Sequence, residues 1–162
     1  MKYPFHTSTH NQRLKSLEQT GLLTSINIDD FLVPTIAINE DTNELYEFDY
    51  NFMSDTLKQF DNGIVDYTKT AYYDKWGLIK GEKYCQVRIS NFLDLYKNIK
   101  VNGLKEPVVV DNTGQKIDGS HRASILKHFG FVTIPARIVN IEPDIEFIKR
   151  TVKAREKIYG KN

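Results

Sequence analysis

Only one cysteine, Cys85, occurs in the 162 residues, which excludes an internal disulfide framework. A lone thiol also leaves no cysteine-rich zinc site, and the four histidines, His6, His10, His121 and His128, form no His-Glu-x-x-His pair. Long hydrophobic runs are missing too. Stretches such as 108–110 and 130–132 are far too short to cross a bilayer, so no membrane partner is expected. Residues 1–10 lack the apolar stretch of a secretory signal, and a cytoplasmic location is expected. No repeat and no low-complexity linker interrupts the chain. Nor is there a large excess of either charge: the net value is +1, unlike the strongly basic balance usual for a free-standing DNA-binding domain.

What is present fits an ordinary folded chain. Apolar residues make up 40% and charged residues 27%, and the length suits one domain with a single core. The charge is unevenly spread. Lys149, Arg150, Lys153, Arg155, Lys157 and Lys161 face only Glu156, which leaves the residues upstream net negative. A basic segment of this kind is either the solvated face of a helix or a contact for nucleic acid.

Residues 1–21 are polar, with a short helix expected around 12–19 and Phe5, Leu14 and Leu17 as anchors. The β-branched stretch 26–38 contains Pro34 and reads as one or two strands at a sheet edge, because proline cannot donate to a ladder. A turn is expected at 41–43. Residues 46–60 lean towards helix in their second half, ended by Asp61, Asn62 and Gly63. Tyr67, Tyr72, Tyr73 and Trp76 form an aromatic-dense segment, read either as packed core or as a lid over a ligand. Ser90 is expected to cap a helix carrying Phe92, Leu93, Leu95, Tyr96 and Ile99, which stops at Asn102 and Gly103. A short strand over 106–111 is opened by Pro107, followed by a turn at 112–114 and a return strand over 115–118. A helix striped with Ala123, Ile125, Leu126 and Phe129 ends at Gly130. A strand over 134–139 and a long helix over 143–159 complete an α+β reading: a small mixed sheet flanked by helices. Residues 1–60 are expected to form an N-terminal extension packed on a domain of residues 61–162. Cys85 is expected to be a small buried hydrophobe, and His128 to lie on the exposed side of its helix.

The residues best suited to chemistry lie where the return strand becomes a helix: Asp118, Gly119, Ser120, His121 and Arg122. The first N–H groups of a helix have no partners within it, and the macrodipole adds positive partial charge. Gly119 allows the main chain to approach an anion, and Ser120 can cap the helix or bond a phosphate oxygen. Arg122 supplies a planar, permanently charged fork, and His121 a donor or an acid–base group near neutral pH. Asp118 suits three roles: holding Arg122, coordinating a metal that carries phosphates, or activating a hydroxyl. The plainer reading is a turn followed by an N-cap, with Arg122 bridging to Glu106 or Asp111.

Residues 104–139 resemble the ParB/sulfiredoxin superfamily through Gly103, Leu104, Pro107, Gly119, His121, Arg122, Gly130, Ile134 and Pro135. The upstream segment containing Thr70, Tyr72 and Tyr73 is similar to ParB-like proteins in which an aromatic stretch precedes this core. The resemblance implies a ParB/sulfiredoxin-like domain with a nucleotide-phosphate pocket at Gly119, Ser120, His121 and Arg122, with Pro107 beside it. Sulfiredoxins carry a catalytic cysteine where this chain has Ser120, so sulfinic-acid reduction is not expected. ParB partition proteins carry a Gly-Glu-Arg-Arg-like box and a helix-turn-helix domain. With Ser-His-Arg here, and no residues after Asn162 to add that domain, partitioning is not expected either. The box Asp118–Arg122 is most similar to the Asp-Gly-His-His-Arg of free-serine kinases, where an upstream glutamate acts as base. Glu82 and Glu106 are the two candidates for that role.

The expectation is therefore an ATP-binding enzyme, using ATP or another nucleoside triphosphate with Mg²⁺, that transfers a phosphoryl group to a small hydroxyl-bearing acceptor. Asp118, His121, Glu106 and Glu82 are its candidate catalytic residues, and Asp118 is its candidate metal ligand. Two alternatives stand beside it. One is a nucleic-acid-associated, nucleotide-dependent or nuclease-like module that uses the basic residues 149–161. The other is a regulatory protein that keeps the pocket without catalysis.

Overall fold

The computed structural model describes residues 21–38, 44–112, 114 and 116–140, and, singly, Lys153, Glu156 and Gly160. The expected helix over 12–19, the turn at 41–43 and the basic stretch 149–161, with most of the final helix, lie outside the described residues.

Four strands form a mixed sheet in the order β1 (Leu22–Asn27), β6 (Thr133–Val139), β4 (Val108–Asp111), β5 (Lys116–Asp118). β1 runs antiparallel to β6 with Leu22 opposite Ile138, and β4 runs parallel to β6 with Val108 opposite Ala136. β5 returns antiparallel to β4, and the register shifts between Val109 and Val110. β2 (Thr35–Ile38) and β3 (Leu45–Phe48) make a separate antiparallel pair. The helices are α1 (Ile28–Phe31), α2 (Asn51–Asp61), α3 (Ala71–Lys80), α4 (Glu82–Asn102) and α5 (Ser120–His128), with a 3₁₀ turn over Tyr67–Lys69. This is an α+β fold, as the sequence reading expects.

Strand alternation explains the core. Val108 and Val110 face the helices and join the main cluster, whereas Val109 packs with Ile117 and Val139 on the opposite face. On α4 the buried residues are Cys85, Ile89, Phe92, Tyr96 and Ile99, a spacing of four and three that makes one continuous stripe. Phe52, Met53 and Leu57 of α2, Tyr72 and Trp76 of α3, and Ala123, Ile125 and Leu126 of α5 meet it. Tyr72 and Trp76 are thus core residues, and Cys85 is buried as expected.

Three local expectations need correction. Ser90 does not start a helix: it is an exposed residue within α4, which begins at Glu82 because the Cys85–Ile89–Phe92 stripe continues through it. The stretch 26–38 is not simply strand. Asn27 accepts a hydrogen bond from the Asp29 N–H at 2.9 Å and caps the short helix α1, and Pro34 falls in the gap before β2. His128 is not on the open side of its helix; its side chain is only 15% exposed and lies 2.7 Å from Asp61.

Residues 21–60 share their core with the rest. β1 supplies an edge of the four-stranded sheet, and Ile28, Phe31 and the apolar face of α2 belong to the main cluster. The division drawn between residues 60 and 61 falls within α2.

Candidate functional site

The site is built from the segment entering β4, the end of β5, the first turn of α5, and α3 and α4 behind them. Gly119 makes the junction. Its φ is +118°, a region that other residues rarely adopt, and a Cβ there would lie 2.5 Å from Val108 Cγ1. Glycine is therefore required twice, by backbone conformation and by contact. Its carbonyl accepts the Ala123 N–H at 2.9 Å and starts the helix. Gly119 caps α5 without a side chain, so no side-chain cap covers the first-turn N–H groups.

Arg122 is the most tightly held side chain of the motif. One terminal nitrogen donates to the Pro107 carbonyl at 2.5 Å and reaches the Glu106 carbonyl at 3.5 Å. The other donates to Asp118 Oδ2 at 3.1 Å. The Glu106 carboxylate is 3.8 Å away, on a side chain that is 82% exposed, while the Arg122 side chain is only 14% exposed. The structure thus brings together Asp118, Arg122, Glu106 and Pro107. Of the roles open to Asp118, holding Arg122 is the one its geometry displays.

His121 occupies a different environment from the one its sequence suggests. Its Nε2 lies 2.9 Å from the Tyr72 hydroxyl, and its ring sits 4.6 Å from Phe92 and 5.7 Å from Tyr72, centroid to centroid. Burial pushes its pKa down to about 3, and the nearby charges of Arg88 and Arg122 push the same way. The ring is neutral at pH 7. In that form it can exchange hydrogen bonds, and an acid–base role near neutrality is not what this environment favours.

Tyr72 is placed by an unusually complete helix start. The first three N–H groups of α3 are all taken by side chains: Ala71 by Gln59 Oε1 at 2.8 Å, Tyr72 by Thr56 Oγ1 at 3.0 Å, and Tyr73 by Thr70 Oγ1 at 3.2 Å. Burial raises the Tyr72 hydroxyl to about 12, opposed by the charge of Arg88. Glu82, at the start of α4, is exposed and accepts from the Tyr73 hydroxyl at 3.2 Å. Of the two glutamate candidates, Glu106 is the one in contact with the motif.

Two cations at the site carry no local signature in the sequence. The charge of Arg88 on α4 acts on Tyr72 and His121, and Asp118 lies within its field. The available clue is its position in the helical stripe, between Cys85 and Phe92. Lys116 of β5 places Nζ 3.9 Å from the centre of the Tyr50 ring, and burial lowers its pKa to about 7 against the pull of Asp118. The clue there is the strand period: Lys116 shares a face with Asp118, with the buried Ile117 between them.

Among the described residues, no group of three or more His, Cys, Asp and Glu side chains converges as a metal centre. No described helix is long and apolar enough to cross a membrane. No family model matches the chain, and no curated protein or solved structure matches it.

Proposed function

We propose that the turn 118–122 binds the phosphates of a nucleotide, ATP in the first instance, and that the protein is a ParB/sulfiredoxin-like phosphotransferase acting on a small hydroxyl compound. The observation that carries this reading is Gly119. A left-handed residue pressed on Val108 opens α5 without a side-chain cap, directly beside the guanidinium of Arg122. Main-chain donors, the positive end of a helix dipole and a fixed cation suit a phosphate.

The residues present fit the anion. For Mg²⁺ they offer Asp118, whose Oδ2 already holds Arg122; the ion would take its remaining oxygens from nucleotide and water, as Mg²⁺ commonly does. Bound there, it would neutralise charge on the transferred phosphoryl group. In the reaction, the bond from the γ-phosphorus to its bridging oxygen breaks as the acceptor hydroxyl attacks, ADP leaves, and a carboxylate takes the hydroxyl proton. Glu106 would be that carboxylate, and its exposure and its position next to Arg122 support the reading. His121 would serve as a neutral hydrogen-bonding group. A nucleotide partner, the acceptor and a cytoplasmic setting all belong to this proposal.

A second reading has one observation behind it. Arg122 already has Asp118, Glu106 and the Pro107 carbonyl as partners, and such a clamp would tie α5 to the entry of β4 without any ligand. Incubation with ATP, Mg²⁺ and a panel of hydroxyl compounds, followed by ³¹P NMR, tests the enzyme reading. A new phosphomonoester that vanishes with Glu106→Gln supports it. ATP that binds but stays intact leaves a binding protein, and failure to bind leaves the clamp.

A further inference from the structure

α2 and α5 both end beside the C-terminal half of α4, and the three helices leave between them a groove of about 650 Å³, a size suited to a drug-sized molecule. Its walls are largely apolar. Phe60, Leu93 and Phe129 are half-buried there, and the Tyr96 ring packs edge-on against Phe60 and Phe129, at 6.3 and 5.5 Å between centroids. The polar groups of the wall are engaged with one another. Asp61 accepts from the Tyr96 hydroxyl through Oδ1, and its Oδ2 lies 2.7 Å from His128 Nε2. The Tyr96 hydrogen bond holds the Asp61 carboxyl below its usual range, so the group is ionised at pH 7 and only accepts. Two further charges line the groove. Lys97 and Lys100 are exposed, lie three positions apart on one face of α4, and form no ion pair among the described residues. Lys100 Nζ stands 5.8 Å from the centre of the Tyr96 ring. One carboxylate thus faces two ammonium groups, and the negative ends of α2 and α5 are offset by Lys58, Lys127 and His128 in their last turns.

We propose that this groove is a second binding site, for a small amphipathic acid: a flat apolar ring system carrying one carboxylate or sulfonate. The rings lie against Phe60, Leu93 and Phe129, and the anion meets Lys97 and Lys100. An apolar body takes the half-buried walls out of water, and flat rings suit walls that are themselves rings. The aliphatic stems of the two lysines extend the apolar edge while their ammonium heads stay in water, so the anion is met at the rim without full desolvation. The same two charges repel a cation of similar shape. Asp61 does not compete with the lysines for space, because Tyr96 and His128 hold its two oxygens in the wall. The groove and the turn 118–122 share no residue, so loss of nucleotide binding at the turn leaves this site standing.

Anilinonaphthalene sulfonate is an acid of this class, and its fluorescence on titration with the full chain measures binding, while amide shifts in ¹H–¹⁵N spectra locate it. Saturable one-to-one binding is expected, with the largest shifts at residues 60–61, 93–100 and 128–129. Lys97→Glu combined with Lys100→Glu, both at exposed positions, should weaken binding at least about tenfold. Phenylnaphthylamine keeps the rings and lacks the sulfonate, and should bind wild type and variant alike. A parallel loss for this neutral probe would trace the effect to a damaged groove and overturn the assignment of the lysines. Absence of saturable binding, shifts centred elsewhere, or equal sulfonate affinity in wild type and variant each overturns the site.

Discussion

The guanidinium of Arg122 donates to the main-chain carbonyl of Pro107, fifteen positions earlier in the chain, and so ties the first turn of α5 to the segment entering β4. The same side chain reaches back four positions to Asp118 at the end of β5. The motif is therefore held from both sides before any ligand arrives, which is the preorganisation an anion site needs.

Gly119 is where that arrangement is most easily broken. Alanine there meets both an unfavourable φ and the side chain of Val108. Gly119→Ala should lower unfolding stability by on the order of 3 kcal/mol, from left-handed strain and overpacking together. Urea unfolding followed by circular dichroism measures it, and a loss below about 0.5 kcal/mol would contradict the tight junction described.

His121 makes stability sensitive to acid. In the unfolded chain its imidazole takes a proton near its ordinary value of 6.5, and in the folded chain at about 3. Between these values the unfolded state holds the extra proton, so stability falls as the pH drops from 6.5 towards 3. The loss between pH 6.5 and 4 should be on the order of 3 kcal/mol. His121→Gln should flatten this part of the profile, and an equally steep profile in that variant would place the acid sensitivity elsewhere.

Lys116 should act in a higher window. Its folded pKa is about 7 against 10.5 for the free side chain, so above pH 7 the unfolded state again holds more protons. Stability attributable to this group rises with pH from about 7 to about 10.5. Lys116→Met removes the charge and keeps the stem packed beside Tyr50. Thermal melts should show the variant gaining most over wild type at pH 6–7 and losing most of that advantage by pH 9.5. A constant difference across the range would contradict the assignment.

The legible parts of this chain were those with local punctuation. Pro107, Gly119 and Gly130 mark the ends of β4, β5 and α5, and those elements lie within a residue or two of their expected places. Ser90 misled because a good capping residue is also tolerated on an exposed helix face, and only the stripe across it distinguishes the two. Asn27 followed by Asp29 and Asp30 carried the signature of α1, but the surrounding β-branched residues outweighed it. Within the site, Asp118 and Arg122 were readable because they lie four positions apart across the turn from β5 to α5. The contact of His121 with Tyr72 crosses 49 positions, and the approach of Arg88 belongs to another helix. No spacing rule reaches such pairs, and so the burial of His121 could not be foreseen.

The proposed activity requires the turn 118–122 to hold a nucleotide. Isothermal titration of the protein with ATP and Mg²⁺, alongside Arg122→Ala, tests this most directly. Saturable binding by wild type, weakened at least about tenfold in a folded Arg122→Ala protein, is the predicted result; tenfold corresponds to about 1.4 kcal/mol. No heat of binding in wild type, or equal affinity in the two proteins, would contradict the phosphate site and leave Arg122 as a structural clamp.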